Sequence, residues 1–525
     1  MPHGSAWAPR VRSLTRDLVR IPSVTGTEGE VYIASYIEGL VAALPYFQAH
    51  PEHLRLLSTG EGRNSVVALV RGAQAEAQAR TLILMGHIDT VPFADYGPLA
   101  NIACDPDALA ARPGAPAGFM EGRGSVDMKS GVAANLAILE RFAAEADGQH
   151  GALLFLATPD EEDTSQGILS VLAALPALAT EWSLDLIGAI NTDYTAPRFP
   201  GDTDRYIYGG TIGKLMPTVW VVGQETHAGE PWRGFDPNLL IAEVVRRVSL
   251  NPAFCEVCSS EVTPPPVALK VTDTKEAYNV QIALSAWAYF TWFTFTQSAE
   301  AVLNRFRAEV EAAFASVLAL QAERAQAWSA LGLEQAPLPG WSVQVLTFAE
   351  LAARVGESTV RHEAARLAQE EREMRRFALA LTERLWALAG LTAPAAVVGF
   401  AGVYYPPLAL SVEAPLVQAA SVAAAEFSSD YRIQTRRFFP YISDISFLGC
   451  PDSPSALAVL QANSPAWGTL YQIDHAAHAR LNLPVINIGP WGEGAHTHHE
   501  RVEEAYSFGV VPELIWQTVQ QLFRL

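Results

Sequence analysis

Short apolar segments of strand length alternate with helical patterns through the N-terminal part of the chain. The apolar segments occupy residues 64–70, 81–85, 152–157 and 186–190. Apolar residues recur at helical spacing over residues 28–43, 132–144 and 168–175. Because strands that alternate with helices form βαβ units, the pattern predicts an α/β fold with a mostly parallel sheet flanked by helices.

The pattern changes after residue 210, where long Ala-, Glu- and Arg-rich helical stretches cover residues 299–330 and 357–389. A chain of 525 residues is too long for one ordinary core. We therefore predict a sheet domain formed by residues 1–210 and 408–525. An α+β domain, enlarged by the long helices, is predicted to be inserted over residues 211–407.

Composition and charge narrow the classes of partner and compartment. Half of the residues are hydrophobic and the net charge is −20, which favours a globular protein and argues against nucleic-acid and anionic-membrane partners. Four cysteines are too few for a disulfide framework, and Met1–Trp7 lacks a signal-peptide pattern. The longest apolar patch, 285–296, is too short to span a bilayer. We expect a soluble cytoplasmic protein.

Potential metal ligands follow three of the predicted strands. His87 and Asp89 follow the segment 81–85, Glu161 and Glu162 follow 152–157, and Asp193 follows 186–190. In open α/β sheets, ligands bind at the carboxyl ends of the strands. Clustered carboxylates repel one another unless a cation lies among them, and mixed His and carboxylate ligands suit zinc, manganese or cobalt. The sequence therefore predicts a metal site there.

Two further segments carry candidate ligands. Asp127 lies forty residues after His87, in the glycine-rich segment 122–131, and His496 lies in the segment 494–500. Two metals about 3.5–4 Å apart, bridged by one carboxylate, are a recurrent hydrolytic arrangement.

Four ordered blocks resemble the di-zinc exopeptidase family, metallopeptidase family twenty. It includes glutamate carboxypeptidases, aminoacylases and succinyl-diaminopimelate desuccinylase. The matching blocks are H-x-D-T-V from His87, G-R-G-x-x-D-x-K from Gly122, D-E-E from Asp160 and A-H-T-x-x-E from Ala495. Any one block is weak evidence, but four in family order are strong evidence.

The resemblance implies two divalent metals, with Zn²⁺ as the expected ion and Co²⁺ or Mn²⁺ as alternatives. His87 and Asp193 would bind one metal, Glu162 and His496 would bind the other, and Asp127 would bridge them.

The resemblance also implies the roles of the neighbouring residues. Glu161 would be the general base that deprotonates the attacking water. Asp89 has the chemistry of a residue that orients His87 through its other ring nitrogen. The family has a non-proline cis peptide after the bridging carboxylate, which would be the Asp127–Met128 bond here.

The inserted domain begins with a segment that resembles the family's lid motif, G-x-x-x-H-A-x-x-P, from Gly223. His227 would polarise the substrate carbonyl, often across a dimer interface, and Asn279 would contact substrate. The long insert would either block or extend the usual lid-to-lid homodimer.

The chain departs from the family where an Asp-Ile-Arg segment usually follows, because residues 289–293 read Tyr-Phe-Thr-Trp-Phe. The long helical insert, the Tyr-Asn-Val segment 278–280 and the block 437–444 look most like the arginine-utilisation (RocB-type) subgroup. Asp444 falls where relatives have substrate-pocket residues. The function implied is metal-dependent hydrolysis of an amide bond in a small N-acyl amino acid or dipeptide, in arginine or amino-acid catabolism.

Several less specific interpretations compete with these. Taken without the other motifs, His87 is typical of a hydrogen-bonded turn residue, and Asp193 could also belong to a turn. The acidic run at 161–163 would be stabilised at the N-terminus of a helix by the helix dipole. His227 would be a surface histidine without a role in the reaction. His498 or His499 would take the ligand position that is otherwise assigned to His496. Cys255 and Cys258 lack a second pair, which favours incidental thiols over a zinc or redox site.

The rival function is a non-catalytic relative that keeps the fold and the metal site for binding or regulation in amino-acid metabolism. The missing Asp-Ile-Arg segment supports that alternative, while the intact Glu161 opposes it. A chain with one occupied metal position is a second alternative.

Overall fold

The computed structural model describes residues 6–258, 261–332 and 334–524. The chain divides into two compact units: the first comprises Met1–Thr211, Leu408–Cys450 and His475–Leu525, and the second comprises Ile212–Pro407 and Pro451–Asp474. The predicted range 408–525 is therefore wrong for Pro451–Asp474, because that segment packs Leu460 into the apolar core of the second unit.

The strands of the described residues, numbered in chain order, have the following bounds. They are β1 (Leu54–Gly60), β2 (Arg63–Arg71), β3 (Ala79–His87), β4 (Phe119–Glu121), β5 (Ala152–Thr158), β6 (Leu184–Asn191), β7 (Arg205–Tyr208), β8 (Gly210–Thr211), β9 (Gly213–Leu215), β10 (Pro217–Val222), β11 (Val257–Cys258), β12 (Glu261–Val262), β13 (Val267–Asp273), β14 (Ser285–Thr294), β15 (Gln344–Thr347), β16 (Ala395–Phe400), β17 (Leu408–Ala409), β18 (Ile433–Arg436), β19 (Val485–Asn487), β20 (Gly492–Glu493) and β21 (Arg501–Glu503).

The α-helices of the described residues are numbered in the same way. They are α1 (Ala8–Val19), α2 (Glu28–Ala42), α3 (Pro45–Ala49), α4 (Pro106–Ala110), α5 (Ser130–Ala144), α6 (Gln166–Glu181), α7 (Pro237–Val248), α8 (Ala299–Ser329), α9 (Phe348–Val355), α10 (Glu357–Leu367), α11 (Met374–Ala389), α12 (Pro415–Ala425), α13 (Pro454–Ala462), α14 (His475–Leu481) and α15 (Val511–Arg524). None of them is long and apolar enough to cross a bilayer.

The first unit is built on an eight-stranded sheet with the order β1-β2-β5-β3-β6-β19-β7-β18. The central strands β5, β3, β6 and β19 run parallel, whereas β1 and β2 form an antiparallel edge. Strand β5 is buried along its whole length, as its continuous apolar sequence requires when helices cover both faces of a sheet. This is the α/β architecture that the sequence predicts.

Close backbone packing brings α5 against the carboxyl end of β6. A Cβ atom on Gly131 would lie 2.1 Å from the carbonyl oxygen of Thr192, so only glycine fits at this point. Gly489 is equally constrained, because a Cβ there would lie 1.7 Å from the carbonyl oxygen of Asp193. These two contacts fix the chain immediately around Asp193.

The second unit has a separate sheet in the order β13-β14-β10-β16-β15, with β9 paired to β14. All of its pairs are antiparallel except β15 with β16. The 31-residue helix α8 buries one apolar stripe, which includes Val302, Phe306, Val310 and Phe314. This spacing of four residues is the amphipathic pattern predicted for the long helical stretch.

Candidate metal centre

Three neighbouring strands deliver the predicted ligands to one edge of the sheet. His87 is the last residue of β3, Glu161 and Glu162 follow β5, and Asp193 follows β6. Because β5, β3 and β6 are adjacent and parallel, their carboxyl ends meet at the same edge. The sheet order alone therefore brings these side chains together.

Asp127 lies between two histidines, one at each of its carboxylate oxygens. His87 Nε2 is 3.1 Å from Asp127 Oδ1, and His496 Nε2 is 3.1 Å from Asp127 Oδ2. His496 Nε2 is also 3.0 Å from Glu162 Oε1. The potential ligand atoms of His87, Asp127 and Glu162 all lie within 4.8 Å of one another. One carboxylate flanked on both oxygens by such groups is the geometry that a bridging ligand needs.

Asp193 is buried beside this group and is held through its backbone. Its N–H donates to Asn487 Oδ1 at 3.0 Å, and its carbonyl oxygen accepts from Asn487 Nδ2 at 2.8 Å. Burial, followed by the negative charge of Asp127, raises the pKa of Asp193 to about 7. A carboxylate in this position favours a nearby cation.

Glu161 is buried with one oxygen available. Its Oε2 lies 3.9 Å from His87 Nε2, while its Oε1 is buried without a hydrogen-bond partner among the described residues. Burial raises the pKa of Glu161 well above its ordinary value, although the charge of His87 opposes this. A carboxylate that binds its proton more tightly is suited to act as a base towards water.

Asp89 contacts both His87, a predicted ligand, and the loop of Glu161, the predicted base. Its Oδ1 lies 3.4 Å from His87 Nδ1, and its two oxygens accept the backbone N–H groups of Glu161 and Glu162, each at 3.1 Å. Thr25 Oγ1 donates to it at 2.9 Å. Asp89 thus contacts His87 at its Nδ1 side and also holds the loop that carries Glu161.

The charge balance of the group fits a divalent cation. Burial lowers the pKa of both histidines, but their hydrogen bonds to carboxylates, Asp127 first among them, outweigh it. As a result, the pKa of His87 lies well above its usual value and that of His496 is raised to about 11. Burial raises the pKa of Asp127, yet the hydrogen bonds from His496 and His87 leave it lowered. Protons on these histidines thus supply the positive charge that the carboxylates require, and metal ions would replace them.

A cis peptide bond and the side chain of Glu500 hold the backbone around Asp127, the predicted bridge. The Asp127–Met128 peptide bond is cis, which confirms the expectation from the resemblance. Glu500 Oε1 accepts the N–H groups of Val126 and Asp127, each at 3.2 Å, and Arg123 Nη1 donates to Glu500 Oε2 at 2.8 Å. Glu500 was not among the predicted site residues, although the A-H-T-x-x-E block ends on it.

A second buried network surrounds Asp160, the residue immediately before the predicted base Glu161. Arg63 Nη1 lies 2.7 Å from Asp160 Oδ1 and 3.3 Å from Glu30 Oε2, and Glu30 Oε1 accepts the N–H of Asp160 at 2.8 Å. Asp160 has a φ of 68°, a left-handed conformation that is uncommon for a side-chain-bearing residue. The network holds this turn immediately before Glu161. Nothing in the sequence indicated Arg63 or Glu30.

Asp444 lies in the first unit, where it is 3% exposed. Its Oδ2 accepts from Thr158 Oγ1 at 3.1 Å, at the end of β5, and its Oδ1 is buried without a hydrogen-bond partner among the described residues. Its negative charge contributes to the raised pKa of Glu161, after burial and against the charge of His87. The structure thus places Asp444 near the proposed base.

His227 and Asn279 lie in the second unit and are both exposed there. They belong to neighbouring segments, since His227 forms a bridge pair with Gln281 and Asn279 Nδ2 donates to Gln281 Oε1 at 2.7 Å. The Gly229 N–H donates to His227 Nδ1 at 3.0 Å. This bond leaves the proton on Nε2, where it is available to donate to a substrate oxygen.

The structure also bears on the alternative histidine ligands near the C-terminus and on the two cysteines. The rings of His498 and His499 contact each other, with centroids 3.8 Å apart and planes tilted by 41°. His496 is the histidine of this block that lies beside Glu162. Cys255 and Cys258 are unpaired thiols and belong to none of the potential metal-binding groups of the described residues.

The family model "Peptidase family M20/M25/M40" matches residues 83–483. The chain belongs to this family. The predicted membership and the predicted hydrolase class are thereby confirmed. Protein RocB of Bacillus subtilis (strain 168) is 32% identical to the chain, and the match covers 98% of this chain and 95% of RocB. Succinyl-diaminopimelate desuccinylase 1 of Ruegeria sp. (strain TM1040) is 31% identical, over 45% of this chain and 55% of that protein.

Solved structures share the M20 fold at low sequence identity. An M20 family metallo-carboxypeptidase, Sso-CP2, from Sulfolobus solfataricus has a TM-score of 0.55 at 11% identity, over 98% of this chain and 99% of that one. Human carnosine dipeptidase 1 has a TM-score of 0.53 at 12% identity, over 99% of this chain and 97% of that one. These likenesses confirm the predicted fold class.

Proposed function

We propose that this M20 protein is a two-metal hydrolase that cleaves the amide bond of a small N-acyl amino acid or dipeptide, with Zn²⁺ as the metal. The observation that carries the proposal is the position of Asp127 between His87 and His496, with Glu161 Oε2 3.9 Å from His87 Nε2. The other Glu161 oxygen, Oε1, is buried and has no hydrogen-bond partner among the described residues. A metal site that only stabilised the fold would not need an unpaired carboxylate beside it.

His87 and Asp193 would hold one ion, Glu162 and His496 the other, and Asp127 would be shared. When bound, two such ions activate water and stabilise negative charge on the substrate carbonyl. Nitrogen and carboxylate ligands in this mixture suit zinc, and also cobalt or manganese.

The protein's own groups supply the proton transfers. Glu161 accepts a proton from the attacking water and delivers it to the leaving nitrogen as the C–N bond breaks, so that an acid and a free amine result. Asp89 keeps Glu161 and His87 in place during both transfers. His227 donates its Nε2 proton towards the carbonyl oxygen as negative charge develops there.

The substrate is proposed to be an amino-acid derivative because the relatives suggest that class. The similarity to RocB over almost the whole chain, and the subgroup that the sequence resembles, direct attention to arginine and its acyl derivatives. The match to a desuccinylase adds N-succinyl amino acids.

The test is release of free amine from a panel of N-acetyl and N-succinyl amino acids, including arginine, and of dipeptides. We expect release from at least one member when the protein is loaded with zinc, and its loss after chelation. A protein that binds two metals and releases no amine from any member would instead support the non-catalytic alternative.

A further inference from the structure

A second group of potential metal ligands lies on the surface of the first unit, apart from the residues assigned to the metal centre. His50, Glu52 and His53 occupy the turn between α3 and β1. Their side chains offer two imidazole nitrogens and a carboxylate oxygen, which is a ligand set that zinc accepts. The hydrolase function proposed above uses none of them.

The distances within this group are close to those of a coordination shell. Glu52 Oε1 lies 3.3 Å from His50 Nδ1 and 3.9 Å from His53 Nε2, and all three ligand atoms lie within 4.8 Å of one another. Ligands about 2.0–2.1 Å from a tetrahedral zinc ion are separated by about 3.3–3.4 Å. Small side-chain movements would therefore complete three corners of a tetrahedron.

Tyr46 can set the ring of His53 for metal binding. Tyr46 Oη accepts the backbone N–H of Arg71 at 2.8 Å and lies 3.0 Å from His53 Nδ1. When the Tyr46 oxygen accepts the proton on His53 Nδ1, His53 Nε2 carries a free lone pair, and this nitrogen lies on the side of Glu52. Metal-binding histidines usually have such a partner at their other nitrogen. Burial lowers the pKa of His53, which favours the neutral form that binds metals.

The turn is also held in place before any ion binds. Pro51 has a restricted φ between the first and second ligands. The rings of His50 and His53 stack with centroids 5.3 Å apart, and the strand pairing of β1 with β2 begins at Leu54, the next residue. The backbone that carries the three ligands is therefore already ordered.

We propose that His50, Glu52 and His53 bind one Zn²⁺ ion, with solvent at the fourth position. The site is separate from the metal centre and adds one zinc ion per chain. Because an intact site requires the folded turn, zinc at this position stabilises the connection between α3 and β1.

The test compares zinc content after equilibrium dialysis of the chelator-treated full-length protein against Zn²⁺. The variants are His50→Ala and Glu52→Gln, with His150→Ala as a control at an exposed histidine outside both ligand groups. We expect the wild type and the control to bind one zinc ion more per chain than the two site variants. All four proteins keep the metal centre, so the difference is independent of whether that centre is hydrolytic.

Equal zinc content in the wild type, His50→Ala and Glu52→Gln would overturn the proposal. Two site variants are used so that, if one fails to fold, the other still decides. Tyr46→Phe should weaken zinc binding at this site about tenfold or more. An unchanged affinity would overturn the part assigned to Tyr46.

Discussion

The metal centre of the first unit and the His227 segment of the second unit hold their polar side chains in different ways. Asp89 is fully buried and receives hydrogen bonds from three different residues. His227 is exposed, and its ring accepts one bond, from Gly229 N–H. Asp89, Asp127 and Glu161 are thus fixed by burial, whereas His227 is accessible, as is His496 of the candidate metal centre, whose side chain is 51% exposed. Under the proposed function, the buried carboxylates hold metal and move protons, and His227 meets the substrate.

The largest expected effect follows from removing the carboxylate of Asp127, the proposed bridge. Asp127→Ala should remove metal from both positions and reduce amine release to the uncatalysed background, because the proposed function makes Asp127 a ligand of both ions. Elemental analysis of the purified variant, beside the exposed-site control Asp147→Ala, measures this. Two tightly bound metal ions in Asp127→Ala would show that it is not a bridge.

The next largest effect is expected from substitution of the exposed His227. His227→Ala should lower kcat by about 10²–10³-fold, the usual cost of removing one oxyanion donor. Metal content and Tm should not change, since the side chain is exposed in its unit. His362→Ala, at another exposed histidine of the second unit, is the matched control. Equal kcat values for His227→Ala and the wild type would remove His227 from the reaction.

Breaking the buried network before Glu161 should affect both stability and turnover. Arg63→Met leaves the carboxylates of Glu30 and Asp160 buried without their cation, which typically costs about 3–5 kcal/mol. Arg55→Met breaks an exposed pair with Glu181 and should cost about 1 kcal/mol or less. Denaturant unfolding of both variants gives the comparison.

The same substitution tests whether the network positions the base. Arg63→Met should lower kcat more than it changes KM, and Arg63→Lys should restore part of kcat. If both variants lose stability but keep the wild-type kcat, the network serves the fold alone.

The smallest effect is a displacement of the pH profile. Amine release should rise with pH as Glu161 loses its proton. Burial is the main reason that the pKa of Glu161 is raised; the charge of His87 lowers it, and that of Asp444 raises it. Removing the negative charge in Asp444→Asn should therefore move the acid limb of the kcat profile to lower pH. A displacement to higher pH would contradict this account of Asp444.

The sequence predicted those parts of the fold that depend on local pattern. The apolar runs that became β3 and β5, and the ligands at their ends, were visible because buried parallel strands are continuously hydrophobic. The placement of Pro451–Asp474 in the second unit could not be predicted, because it depends on where α13 packs in three dimensions.

The supporting residues of the site were the hardest to predict. Arg63, Glu30 and Asn487 lie far along the chain from the groups they contact, and outside any motif. A buried arginine or asparagine in a strand has no local signal, because its partners are brought near only by the sheet order. The ligand-bearing motifs could be recognised since several chemical groups occur within a few residues.

The most direct test of the central claim compares wild type and Glu161→Gln at equal metal content. The substitution keeps the size of the side chain and removes the base, so elemental analysis should find the same two metal ions in both proteins. We predict that amine release from the best substrate of the panel falls by about 10²–10⁴-fold in Glu161→Gln. Wild-type turnover by the fully metal-loaded variant would contradict the assignment of this buried cluster as a hydrolytic centre with Glu161 as its base.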